Sequence, residues 1–153
     1  MAVKNLQRDG HILIGGEVGP AGLEDLYRAG VRTIIDVRNE PGPMAAEAQR
    51  ARGLGMNYVA VPMASNAMTA DQARAILEAM NRHRQGDVLI HCGSGNRAAG
   101  AYGLYLGATG QCPVQEALER AKKAGLRNDE LARAVRAHLA TRPAGETSTR
   151  PSQ

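Results

Sequence analysis

The sequence predicts an α/β domain with a central, mostly parallel sheet flanked by helices. Three observations carry this. Short aliphatic runs, rich in β-branched residues, recur at residues 11–14, 31–37, 57–61 and 87–90. Segments of helix-forming composition separate them, and that alternation is the pattern of parallel strands joined by helices. The 153 residues include no Phe or Trp and four Tyr, so Ala, Leu, Val, Ile and Met must build the core. The length suits one domain.

Taken in order, residues 11–14 read as the first strand, ended by Gly15-Gly16. A short helix follows over 21–29; Pro20 suits its start and Gly30 its end. Residues 31–37 are too short and too β-branched for a helix and read as a buried strand. Residues 39–43, Asn-Glu-Pro-Gly-Pro, read as a loop before a helix over 44–52 that stops at Gly53. A strand over 57–61 is broken by Pro62. Thr69-Ala70-Asp71-Gln72 has the form of a capping box, which starts a helix running to about Arg84. Gly86 precedes the strand at 87–90. Another helix is expected from Arg97 to Leu106, with Gly100 and Gly103 spaced for close packing. Helices over 113–124 and 128–139 complete a single domain at 1–140. The Pro-, Gly-, Ser- and Thr-rich residues 141–153 read as a flexible tail.

The formal net charge is +4, with no Lys/Arg run interleaved with aromatics. That argues against a nucleic-acid reader. No apolar run reaches membrane-spanning length, and residues 1–10 hold no signal core. Neither Cys92 nor Cys112 belongs to a CxxC pair or a Cys/His cluster at zinc spacing. The expectation is a cytoplasmic protein with no metal, no cofactor, and no nucleic-acid or membrane partner, in which Cys92 stays a thiol.

The chemistry concentrates in His91-Cys92-Gly93-Ser94-Gly95-Asn96-Arg97. This stretch follows a strand and opens a helix. A thiol there lies among converging backbone N–H groups at the positive end of a helix, the setting that favours a thiolate and binds an oxyanion. Gly93 and Gly95 remove side chains that would block the approach. Arg97 offers a planar fork for two oxygens of a phosphate or sulfur oxyanion. The expected site is Cys92 and Arg97 as catalytic groups, residues Gly93, Ser94, Gly95, Asn96 and Arg97 as the anion cradle, and His91 and Asp36 in support. His91 is read as holding the loop. Asp36 either faces the loop or pairs with Arg38 or Arg97. Cys112 reads as a packed small residue rather than a resolving thiol, and Met63 and Met68 as core.

His91-Cys92, the glycine-bearing loop and Arg97 together resemble the signature of cysteine-dependent tyrosine and dual-specificity phosphatases. Residues 30–38, 58–62 and 115–118 fall where a compact dual-specificity-phosphatase-like domain has comparable segments, over roughly residues 10–140. The likeness is to a bacterial branch, some of whose members are fused to or encoded beside metallo-β-lactamase-like sulfur enzymes. Three departures matter. Four residues separate Cys92 from Arg97, where those phosphatases have five; the shorter loop resembles that of rhodanese sulfurtransferases. Ala98 stands where the phosphatases commonly carry a hydroxyl, which Ser94 would have to replace. Residues 62–68 contain no carboxylate, although the phosphatases usually place their general acid there. Asp71, the nearest, reads as a helix-terminus residue.

These departures favour sulfur transfer. Cys92 would take sulfane sulfur from thiosulfate or a persulfide, hold it as a persulfide, and yield it to cyanide or a thiol acceptor. The alternative is a cysteine-dependent phosphatase that forms a phosphocysteine from a small phosphoester. A third expectation is a non-catalytic oxyanion-binding module.

Overall fold

The computed structural model describes residues 2–141. Five strands, β1 (Gln7–Asp9), β2 (Ile12–Gly15), β3 (Val31–Asp36), β4 (Asn57–Ala60) and β5 (Asp87–His91), form one sheet in the order β1-β2-β5-β3-β4. β1 runs antiparallel to β2, and every other neighbouring pair is parallel. The helices are α1 (Gly22–Arg28), α2 (Pro41–Gly53), α3 (Ala70–Arg82), α4 (Asn96–Ala108), α5 (Val114–Ala124) and α6 (Asp129–Thr141). The α/β architecture and the mostly parallel sheet are as the sequence predicts.

Two cores, one on each face of the sheet, follow from the alternation of strand side chains. Ile12, Ile14, Ile35, Val88 and Ile90 face one layer, where they meet Ile76 of α3, Leu104 of α4, Leu118 of α5 and Leu131 of α6. Leu13, Ile34, Tyr58 and Leu89 face the other, where Leu23 and Leu26 of α1 and Ala48 and Ala51 of α2 cover them. Both faces of β3 and β5 are covered, so these strands read as unbroken apolar runs.

Helix α4 carries no charge after Arg97 and is buried along most of its length. Its glycines let neighbouring helices approach. A Cβ at Gly103 would lie 2.8 Å from Ala121 Cβ, and one at Gly100 would lie 3.1 Å from Leu131 Cδ2. Gly107 extends this stripe against Leu139.

The structure departs from expectation in four places. α2 begins at Pro41, so the Pro-Gly-Pro segment expected as loop is the helix's first turn. Proline is tolerated there because first-turn N–H groups have no intrahelical acceptor. α4 begins at Asn96, inside the loop, rather than after Arg97. α3 ends at Arg82, two residues short of the expected limit; its Thr69–Gln72 capping box is present. Strand β1 has no counterpart among the expected elements. Asp9 at its end binds Tyr102 and Arg120, which pins this edge strand to α4 and α5. Burial and the Asp9 bond push the Tyr102 hydroxyl up to about 12, so it stays a donor. The tail expected over 141–153 lies outside the described residues from 142 onward. Among the described residues, no helix is long and apolar enough to cross a membrane.

Gly103→Ala tests the helix packing. The added methyl meets a Cβ fixed to a backbone, so α4 and α5 must part. Overpacking of this kind costs about 1–3 kcal/mol, offset by about 1 kcal/mol of helix propensity. The expected result is a lower urea midpoint at unchanged m.

Candidate active site

Strand parity separates His91 from Cys92. Leu89 and His91 point to the α1/α2 side, while Ile90 and Cys92 point to the α4 side. The sheet's last contact here is Cys92 N–H donating to the Gly15 carbonyl at 3.1 Å. The chain then turns through Gly93 and Ser94 to Gly95, which caps α4 with φ +109°, a left-handed conformation that glycine adopts without a Cβ clash. The turn brings the Gly95 N–H to 3.1 Å and the Ala98 N–H to 3.4 Å from the sulfur of the fully buried Cys92. The sulfur thus faces two backbone donors.

The loop's carbonyls are held on its outer side. Glu17 N–H donates to the Gly93 carbonyl at 2.9 Å, and Asn5 Nδ2 donates to the Ser94 carbonyl at 2.9 Å. Gly16 makes this possible, since a Cβ there would lie 2.6 Å from the Gly93 oxygen. Gly15-Gly16, which reads from sequence as a simple turn, is thus the surface on which the loop rests. Among the described residues, the N–H groups of Gly93, Ser94, Asn96 and Arg97 have no backbone acceptor.

Neighbouring segments form the walls. Arg97 is half-buried; its Nη1 donates to the Met63 carbonyl at 3.1 Å, and its Nη2 passes over Gly93. Asn96 Nδ2 donates to the Ser65 carbonyl at 3.1 Å. Asn96 Oδ1 accepts from Arg127 N–H at 2.9 Å and Asn128 N–H at 3.1 Å. Segment 62–68 and the start of α6 are therefore both tied to the loop. Met63 and Met68 are buried in the core. Ser94 is exposed, and the hydrogen bonds to the sulfur come from backbone instead of its hydroxyl. Asp71 is exposed and pairs with Arg74. Cys112 lies beyond the far end of α4 with its sulfur 3.9 Å from Arg120 Nη1. Thirteen residues of helix separate it from the loop, about 20 Å at the helical rise, too far for a disulfide with Cys92.

Beneath the loop lies a buried ionic cluster that the sequence reveals only in part. Asp36 does not meet Arg97. It pairs with Arg38, whose Nη2 is 2.7 Å from its Oδ2, and it accepts from Tyr58 Oη at 2.6 Å. Arg38 Nη2 also reaches Glu47 Oε1 at 3.1 Å. His91 Nε2 lies 2.5 Å from Glu47 Oε2 and 3.5 Å from Asp36 Oδ2, and its Nδ1 lies 3.4 Å from the Cys92 carbonyl. His91 therefore joins the end of β5 to α2. Glu47 has a visible signal in the sequence: residues 44, 47, 48 and 51 share one helical face, and Met, Ala and Ala fill its other positions.

Burial works against the Asp36 charge, but the Arg38 bonds, the nearby His91 and the Tyr58 hydroxyl overcome it and hold Asp36 below the ordinary aspartate value. Burial and the Asp36 bond push Tyr58 well above the tyrosine range, so it remains a donor. Asp36, Glu47 and His91 offer ligand atoms within 4.8 Å of one another, a spacing a metal could use. Arg38 already supplies the cation between the two carboxylates.

A model of the family described as "DSP-PTPase phosphatase fused to NAD+ Kinase" matches residues 2–129. The "Beta-lactamase hydrolase-like protein" of Xylella fastidiosa is 33% identical over 99 residues, covering 61% of this chain and 22% of that one. The chain thus spans about a fifth of that relative's length. Among solved structures, a DUF442 protein of Shewanella putrefaciens CN-32 superposes with TM-score 0.77 at 23% identity, covering 90% of this chain and 92% of the other. TpbA of P. aeruginosa, in a complex with pTyr, superposes with TM-score 0.68 at 18% identity, covering 90% and 91%.

Two substitutions test the buried cluster. Arg38→Met leaves two buried carboxylates without their cation, an expected loss of about 3–5 kcal/mol by denaturant unfolding. Folding lowers the Asp36 pKa, so Asp36 stabilises the fold fully above its unfolded value of about 4, and less as pH falls through its lower folded value. Asp36→Asn should therefore flatten the acid limb of stability against pH below about 4.

Proposed function

The chain belongs to the family described as DSP-PTPase phosphatase fused to NAD+ kinase, and from that premise we propose that it hydrolyses a phosphate monoester through a phosphocysteine on Cys92. The observation that carries this reading is the loop itself. Among the described residues, four of its backbone N–H groups lack a backbone acceptor, and they lie in the same loop and helix start as the two N–H groups that contact the Cys92 sulfur. These four groups are part-exposed or exposed, so they stay open to a ligand from solvent, and a run of such N–H groups at a helix start is suited to an oxyanion.

In this reading the N–H groups of residues 93–97 bind the three equatorial oxygens, and Arg97 grips two of them as charge builds in the transition state. Cys92 sulfur attacks phosphorus in line. His91 and Asp36 act from below by fixing the end of β5, from which Cys92 projects. The substrate class is a small phosphoester with an aryl leaving group; the pTyr complex of TpbA supports that choice.

Sulfur transfer is a second reading, favoured by the count of four residues between Cys92 and Arg97. A shorter loop leaves a narrower ring, which suits one sulfur atom better than a tetrahedral phosphoryl group. The family and the structural neighbours speak for phosphate.

The test is a parallel assay with p-nitrophenyl phosphate and with thiosulfate plus cyanide. Ester hydrolysis is expected, abolished in Cys92→Ser and reduced about 10²-fold or more in Arg97→Ala. Thiocyanate production without ester hydrolysis would overturn the phosphatase reading.

A further inference from the structure

We infer that Glu130, at the start of α6, is the general acid and base of this site, in place of the absent carboxylate of segment 62–68. This rests on the phosphatase reading above. An alkoxide or phenoxide leaves poorly without a proton, and hydrolysis of the phosphocysteine needs a base for water. Segment 62–68, tied to the loop through Met63 and Ser65, contains no acid.

Glu17 meets the loop on its outer side, through its N–H on the Gly93 carbonyl. Asp36 and Glu47 lie behind it and are held by Arg38. Asp71 is turned out to solvent against Arg74. Glu130 is exposed, and its Oε1 accepts from Asn66 Nδ2 at 3.3 Å, in the middle of the segment that lacks an acid. The same helix start is locked to the loop, because Asn96 Oδ1 takes the Arg127 and Asn128 N–H groups while Asn96 Nδ2 holds Ser65. Asn128 Oδ1 then caps α6 through Leu131 N–H at 2.8 Å. Asn96, adjacent to Arg97, therefore positions both the acid-free segment and the helix that brings a carboxylate to it. Asp129 shares the helix terminus but, among the described residues, has no hydrogen bond to the segment.

In the first step the Cys92 thiolate forms the S–P bond while the O–P bond breaks; the electron pair stays on the leaving oxygen, which takes the proton of the Glu130 carboxyl group. The resulting carboxylate then accepts a proton from water as its oxygen attacks phosphorus. The S–P bond breaks, inorganic phosphate leaves, and the thiolate and the carboxylic acid are both restored.

The experiment compares the wild type, Glu130→Gln and Asp71→Asn on p-nitrophenyl phosphate and phenyl phosphate. Gln preserves the acceptor for Asn66, and intact folding is checked by urea unfolding. In Glu130→Gln, phenyl phosphate turnover should fall about 10²-fold or more, the usual contribution of general acid catalysis. The nitrophenyl ester, whose leaving group needs no proton, should be affected far less at the bond-breaking step, read as the burst of nitrophenol. Asp71→Asn should match the wild type on both esters. An equal drop in the burst of released phenol and nitrophenol in Glu130→Gln marks a loosened site and overturns the acid role, as does no drop, or a selective phenyl phosphate loss in Asp71→Asn alone. A wild type inactive on both esters overturns the phosphatase reading, and the Glu130 role falls with it.

Discussion

The end of this sheet that carries the Cys92 loop depends on a buried guanidinium. Arg38 touches Asp36, the last residue of β3, and Glu47, on the inner face of α2. Glu47 in turn holds His91, the last residue of β5. Moving these charges out of water is costly, and the cluster offsets that cost only when every member keeps its partner. The same requirement fixes geometry. Asp36 and His91 are cross-strand partners in register, so the cluster sets the relative positions of β3, β5 and α2 where the sheet gives way to the loop. Cys92 is the next residue, and its direction follows from theirs by strand parity.

In the loop above, backbone polarity is sorted by side. Its Gly93 and Ser94 carbonyls are occupied on the outside by Glu17 N–H and Asn5 Nδ2, which leaves the N–H side of the peptide groups for the inside. The N-terminal arm thus contributes to the site without reaching it: Asn5 binds the loop directly, and Lys4 pairs with both Gly16 and Glu17. Preorganised dipoles of this kind need not reorient when charge develops, which is the main reason such rings lower barriers. The same ring would serve phosphoryl or sulfur chemistry; its width and the supply of a proton discriminate between them.

Much of the fold is legible in the sequence because it rests on local patterns. Aliphatic runs at 31–37 and 87–90 mark buried strands, and Thr69–Gln72 marks a helix start. The Cys92–Arg97 loop is legible because its spacing is local too. What is not legible depends on tertiary context. The polar triplet Gln7-Arg8-Asp9 carries no strand pattern and becomes β1 only because β2 offers a free edge. Pro41 and Pro43 suggest a break and instead open a helix. Gly16 reads as a turn residue until Gly93 is seen to lie against it. Glu47 stands on an apolar helical face, a local signal whose meaning emerges only once Arg38 and His91 are placed beside it. Glu130 looks like any first-turn acid until Asn96 brings α6 to the loop.

Covalent transfer of the phosphoryl group to Cys92 is the central step of the proposed reaction, and the mass of the acid-quenched protein tests it most directly. After brief mixing with p-nitrophenyl phosphate, the protein should gain one phosphoryl group, located on Cys92 by fragmentation and absent in Cys92→Ser. Ester turnover with no covalent adduct at Cys92 in a single-turnover time course, or an adduct that persists in Cys92→Ser, would contradict it.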